Sequence, residues 1–201
     1  MNKIISVIGD GGHARSVIAL LLDCGYTVDG FYSNSILAEE SILGIRGLSL
    51  DKLNNSASVV IAIGDNKERT KVFLLLKDQI VKSNIIHDSV YLHSSVNIDK
   101  GSMIFANSFI GVLCNIGENC IINTGCIIEH ECTIGNNCHI SIGAVVAGRV
   151  KIGNNCFLGA GSVVRDKVEI CDNVIVGAGA VVVKNITVPG TYIGNPAIFF
   201  N

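Results

Sequence analysis

One column of residues constrains this chain more than anything else in it. Counting from Ile86 in steps of six, the sequence places Leu92, Ile98, Ile104, Ile110 and so on to Val188. All eighteen positions are Ile, Leu or Val, without an insertion. Even in a chain of about 40% aliphatic content, chance gives such a run on the order of once in 10⁷ sequences, so the period is a genuine repeat. Six residues match neither the 3.6-residue turn of an α-helix nor the simple two-residue alternation of a strand. They match one flat side of a polygonal coil, with the aliphatic turned inward. Coils stacked about 4.8 Å apart would satisfy one another's backbone hydrogen bonds. Four residues after each aliphatic runs a second, mostly small column that includes Cys114, Cys120, Cys126, Cys132 and Cys138. Glycine often follows the aliphatic, as at Gly117, Gly135 and Gly153, and is expected to permit the turn. Residues 84–201 are therefore expected to form a parallel β-helix.

Before this repeat the pattern alternates strand and helix. Lys3–Ile8 is a continuous apolar run ending at glycines, the mark of a buried strand. Val17, Ile18, Leu21 and Leu22 show helical spacing within 14–24, and Gly25 follows as a stop. Thr27–Tyr32 and Ser58–Ile63 are further strands, and Asn66 is a candidate cap for a helix over 67–76. Residues 1–83 are expected to be a small α/β domain with a Rossmann-like parallel sheet.

Composition removes several classes of function. Fifteen Lys plus Arg against seventeen Asp plus Glu leave a formal charge of −2, and no basic tract suits a nucleic-acid backbone. The apolar stretches are far shorter than the ~20 residues of a spanning helix, so no membrane insertion is expected. The N-terminal run is cut by Asp10 and two glycines and lacks the apolar core of a secretion signal. The expected location is the cytoplasm, with the eight cysteines as reduced thiols. Inward cysteines on successive coils point in parallel and do not converge on a tetrahedral zinc, and no C-x-x-C pair exists. They read as packing, and no metal site is expected.

Two places carry chemistry. His130 lies two residues past the inward Ile128, flanked by Glu129 and Glu131, with His139 further on. An outward imidazole beside a carboxylate can take a proton near neutral pH, although the same pattern also suits a solvated surface histidine. His87 and His93 have no clear partner in the sequence and read as structural or surface residues. At the other end, Gly9-Asp10-Gly11-Gly12-His13-Ala14 fits G-x-G-x-x-A between a strand and a helix, where Gly11, Gly12 and the helix N-terminus can present amides to a phosphate. A dinucleotide site would also want an acid at the end of the second strand, which instead reads Phe31-Tyr32-Ser33. A nucleotide-sugar diphosphate is the better fit.

The run Asn123-Thr-Gly-Cys-Ile-Ile-Glu-His-Glu-Cys132, the segments C-H-I-S-I-G and A-G-R-V-K-I-G, the G-D-G-G-H loop and the I-A-I-G-D-N segment together resemble the bacterial hexapeptide-repeat sugar acetyltransferases of the sialic-acid O-acetyltransferase and UDP-4-amino-sugar N-acetyltransferase type. That resemblance spans essentially the whole chain. It implies a left-handed β-helix with three hexapeptides per coil, a homotrimer, and acetyl-CoA as co-substrate without a metal. It implies that His130 is the catalytic base, that Glu131 raises its basicity, and that Asn123 belongs to the substrate site. It places acetyl-CoA near His139, Ala160 and Ala178, and the nucleotide sugar near His13, Ser33 and Gly64. The implied reaction is N-acetylation of the 4-amino group of a UDP-linked amino-deoxy sugar by direct attack, with sugar O-acetylation as the alternative. A metalloenzyme of the carbonic-anhydrase type, which needs three convergent histidines, and a non-catalytic scaffold are the rival classes.

Overall fold

The computed structural model describes residues 4–35 and 40–200. The chain divides into two compact units, Met1–Ile85 and Ile86–Asn201. Among the described residues no helix is long and apolar enough to cross a membrane.

The first unit is a five-stranded sheet. Its parallel core comprises β1 (Ile4–Ile8), β2 (Thr27–Ser33) and β5 (Val59–Ile61), with β1 between the other two. Lys3, expected to begin β1, lies outside the described residues. Helix α1 (Gly12–Asp23) follows β1 and buries Ala14, Val17, Ile18, Leu20 and Leu21, the face its apolar spacing marked. It begins two residues earlier than expected because Gly11 serves as its N-cap. Helix α2 (Asn66–Leu75) is capped by Asp65, whose carboxylate accepts the Glu68 N–H at 2.9 Å. Asn66 is therefore not the cap; its side-chain oxygen instead accepts from the buried Arg69 at 2.8 Å. The sequence reading also missed a hairpin of β3 (Ser41–Ile42) and β4 (Ile45–Ser49), the latter lying parallel to β2 at the sheet edge. Its strands are too short and too polar to show an alternation.

The second unit is a three-sided parallel β-helix. Strands of two residues pair with the strand eighteen residues on, so Ile110 aligns with Ile128, Ile116 with Ile134 and Ile122 with Ile140. Side 1 runs from Tyr91–Leu92 through Ile127–Ile128 to Val181–Val182, one strand in each of six coils. Side 2 runs from Asn97–Ile98 to Glu169–Ile170, and side 3 carries Ile121–Ile122, His139–Ile140 and Phe157–Leu158. Every aliphatic of the column from Ile104 to Val182 is at most 3% exposed. Val188, the expected last member, is 56% exposed. Ile186 has taken its place by bridging to Ile170 at an offset of sixteen, because the final coil is two residues shorter than the others.

The corners also depart from expectation. A left-handed φ of 57° to 74° recurs at every sixth residue from Gly101 to Gly179, three places after the inward aliphatic. Asn119, Asn137 and Asn155 fill several of these positions, a conformation asparagine tolerates well. The glycines directly after the aliphatics do not make the turn. They allow coils to stack, since a Cβ at Gly135 would lie 2.7 Å from the Gly153 carbonyl carbon.

The inward cysteines from Cys114 to Cys156 are fully buried packing with an added function. Sγ of Cys120 lies 3.1 Å from the Gly135 carbonyl, that of Cys132 3.1 Å from Ala147 and that of Cys138 3.0 Å from Gly153, each fifteen residues on. Burial pushes the Cys126 thiol up to about 12, so it stays protonated and can donate. Ser102 makes the same bond to Gly117 at 2.9 Å.

Candidate active site

His130 stands at the corner between sides 1 and 2. Its ring is 39% exposed, and Nδ1 lies 2.9 Å from Oε2 of Glu131. Of the two flanking carboxylates, the structure brings Glu131 to the ring. The reason is local: Glu131 is a left-handed corner residue with φ 59°, which breaks the strand rule that neighbouring side chains point apart. Arg149, eighteen residues on and at the same corner of the next coil, places Nε 3.6 Å from that same Oε2. An imidazole held through Nδ1 by a carboxylate keeps Nε2 as the nitrogen available for proton transfer.

A second cluster occupies another corner. His139 is 7% exposed on side 3, and the Asn123 amide donates to its Nε2 at 3.2 Å. The ring packs edge-on against Phe157, with centroids 5.1 Å apart. Asn123 begins the corner between sides 3 and 1, and Ala160 and Ala178 sit exposed along that edge in successive coils, with Gly179 N–H donating to the Ala160 carbonyl at 2.9 Å. Thus Asn123, His139, Ala160 and Ala178 share one edge of the β-helix, while His130 and Glu131 lie on another. Side 1 separates the two.

His87 and His93 have partners that the sequence reading did not see. The N–H of Ser89 donates to Nδ1 of His87 at 3.0 Å, and that of Ser95 to Nδ1 of His93 at 3.1 Å. Ser89 and Ser95 in turn accept the N–H groups of Asn107 and Leu113, so these histidines brace corners. Among the described residues no group of three His, Cys, Asp or Glu is arranged to hold a metal ion.

In the first unit, the loops that leave β1, β2 and β5 all emerge at one edge of the parallel sheet. β1 lies between strands whose connections diverge, which is where open α/β sheets bind ligands. Gly11 and Gly12 are exposed at the start of α1, and a Cβ at Gly64 would stand 3.7 Å from that of His13. Gly9, at φ 123°, passes so close to Ala62 that a Cβ there would lie 2.8 Å from its carbonyl oxygen. Arg69, wholly buried, donates to the Ile63 and Gly64 carbonyls at 3.2 and 3.1 Å and so shapes the loop after β5.

Residues 4–76 match the family model for the PglD N-terminal domain, and residues 86–197 that for the GMPPB C-terminal domain. Among solved structures, PerB from Caulobacter crescentus, in complex with CoA and GDP-perosamine, is 34% identical over 98% of this chain and 97% of its own, with a TM-score of 0.90. The chain belongs to the bacterial hexapeptide-repeat sugar acetyltransferases, and it is an acetyltransferase. The acetyltransferase domain of PglB from Neisseria gonorrhoeae is 26% identical, with a TM-score of 0.92 over 99% of this chain and 100% of its own. WeeI from Acinetobacter baumannii is 25% identical, with a TM-score of 0.88 over 98% and 99%. No curated protein sequence matches the chain.

Within this family fold, two neighbours of the candidate sites went unseen in the sequence. Arg149 could have been found by adding one coil of eighteen residues to Glu131. Asp10 could not. Its carboxylate accepts a hydrogen bond from Ser35, which itself pairs with Ser33 at 2.9 Å, so an acid does reach the end of β2, supplied from the β1 loop. The Ser35 hydrogen bond above all, helped by Ser33 and the Arg15 charge, holds this carboxyl below its ordinary range.

Proposed function

We propose that this protein transfers the acetyl group of acetyl-CoA to the 4-amino group of a nucleotide-linked amino-deoxy sugar, with UDP as the carrier. The observation that carries this reading is the half-exposed His130–Glu131 pair, in a chain 34% identical along its whole length to a protein crystallised with CoA and a nucleotide amino sugar. In this reading the amine attacks the thioester carbonyl, a C–N bond forms, the C–S bond breaks and CoA leaves. Nε2 of His130 takes the proton the amine must lose and passes it to the departing sulfur. Glu131 holds the tautomer and balances the imidazolium. Binding both substrates in one groove supplies the proximity, and no covalent acyl-enzyme is needed. Asn123, His139, Ala160 and Ala178 form the acetyl-CoA and acceptor edge. Gly11, Gly12, His13, Ser33 and Gly64 receive the nucleotide sugar.

The working assembly in this proposal is a homotrimer in the cytoplasm. The outward column of side 1 is apolar throughout, with Tyr91 stacked on Phe109 at 4.8 Å and Tyr91 and Ile127 54% and 38% exposed. Cyclic packing across such sides lets the His130 edge of one chain and the Asn123 edge of its neighbour face a shared groove. Complementation tests this: mixing His130→Ala subunits with Asn123→Ala subunits should restore part of the activity that each lacks alone.

The direct experiment incubates the purified protein with acetyl-CoA and a panel of UDP-, GDP- and CMP-linked sugars, following thiol release and the acetylated product. The expected product is an amide stable to mild alkali. An alkali-labile ester would replace the reading with O-acetylation, and turnover of the GDP sugar in preference to the UDP sugar would overturn the carrier. If His130→Ala folds normally and transfers acetyl at near the native rate, the assignment of the base is wrong.

A further inference from the structure

We infer that Gly148 is a positioning residue for His130, and that the absence of a side chain there lets the imidazole lie where Glu131 can hold it. The inference deepens the proposed chemistry and rests on His130 as its base.

The corner of each coil places one residue in register with the next, so that Val112, His130, Gly148 and Asp166 form a column. Three hydrogen bonds tie these rungs together. Glu131 N–H donates to the Val112 carbonyl at 2.8 Å, Arg149 N–H to that of His130 at 2.9 Å, and Lys167 N–H to that of Gly148 at 3.0 Å. The Gly148 backbone is thus fixed relative to His130 and cannot withdraw. Gly148 is buried, and the His130 ring lies across it. A Cβ at this position would stand 2.5 Å from Nε2, 2.6 Å from Cε1 and 3.2 Å from Cδ2. All three of its nearest neighbours would be atoms of the imidazole.

This separates Gly148 from the glycines that stack or turn the coils. Gly177 and Gly190 also meet a side chain first, but those of Ile193 and Phe199 at the last coil rather than that of a candidate site residue. Gly135, Gly153 and Gly159 are required by backbone, since a Cβ at each would approach main-chain atoms of the next coil within 3 Å. Gly125, Gly143 and Gly161 hold left-handed corners and face open space. Gly148 has no left-handed φ and meets the ring first. The fold's stacking and turning therefore leave this glycine unexplained, while the ring explains it. Glu131 holds the imidazole at Nδ1, and the bare rung at 148 accommodates its Nε2 edge. Any side chain there must lift the ring off the coil and away from Oε2.

The test is Gly148→Ala, alone and with His130→Ala. The single variant is expected to unfold near the native temperature and to lose about 100-fold in kcat, as a displaced catalytic group does. KM for both substrates should stay within about threefold. The ¹⁵N resonances of the His130 ring should shift, reporting the lost Nδ1 contact whether or not the acceptor sugar has been found. That arm keeps the positioning claim testable even if the proposed reaction is wrong. In the His130→Ala background, Gly148→Ala should cost nothing further, because the ring it displaces is absent. A Gly148→Ala variant with native kcat and an unmoved ring spectrum would falsify the inference, as would a further loss in the double variant. Should Gly148→Ala fail to fold, folding of the double variant would support a clash with the ring, and its failure would overturn it.

Discussion

Nδ1 of His130 and Oε2 of Glu131 are 2.9 Å apart although the two residues are adjacent in the chain. In an extended strand their side chains would diverge to opposite faces. The left-handed φ of 59° at Glu131 turns the carboxylate back onto the ring, so the corner that closes the coil also assembles the pair. A device of the fold thereby becomes a device of the site.

Glu131→Gln keeps the shape and removes the charge. It should lower kcat by about 10- to 100-fold, the share of general-base catalysis that an orienting anion supports, with KM for acetyl-CoA little changed. Steady-state kinetics on both substrates check the split.

The thiol ladder predicts a ranking rather than a single number. Cys138→Ala removes the donor to the part-buried Gly153 carbonyl, 3.0 Å away, and should cost about 1–3 kcal/mol. Cys138→Ser should cost less, because Ser102 already makes the equivalent bond in the same column. Denaturant unfolding of the two variants gives the order, and equal losses would mean the thiols only fill space.

Asp10 makes stability depend on pH with a defined sign. Its folded carboxyl is held below the ordinary 3.8, chiefly by the Ser35 hydrogen bond, so the folded state favours the anion. That contribution is present above pH about 4 and disappears as pH falls through the depressed value. The melting temperature of the wild type should exceed that of Asp10→Asn at pH 7, and the gap should close below pH 4.

Arg69 buries a guanidinium to hold the carbonyls of Ile63 and Gly64 and the side chain of Asn66. Arg69→Met should destabilise the first unit by about 2–4 kcal/mol, since the part-buried carbonyls and the buried Asn66 side chain lose a charged donor. It should also weaken nucleotide-sugar binding by loosening the loop at Gly64. Thermal melts with and without the sugar nucleotide separate the two effects.

How much was legible beforehand follows from which interactions are periodic. The inward column Ile104 to Val182, the burial of the thiols from Cys114 to Cys156 and the strand–helix alternation of the first unit could be read directly, because burial imposes a spacing on the chain. The sequence reading assigned the turns to the wrong glycines because a tight turn and a close backbone approach both favour glycine, and composition cannot separate them. Val188 fitted the six-residue count and still lies outside the core, since a coil two residues short shifts the register without altering the residue type.

The sequence by itself determined a coil with six residues to each side, since inward aliphatics at every sixth place bury a continuous core, while the pairing of strands eighteen residues apart fixes three sides to a rung. It also marked His130 as an outward imidazole with acids on both sides. Only the tertiary structure decided which acid turns to the ring, that the Arg149 guanidinium reaches the same carboxylate and the ring lies across Gly148, and how Asp10 reaches the end of β2. Those contacts depend on backbone angles at corners and on distances between rungs or strands, and neither leaves a period in the chain.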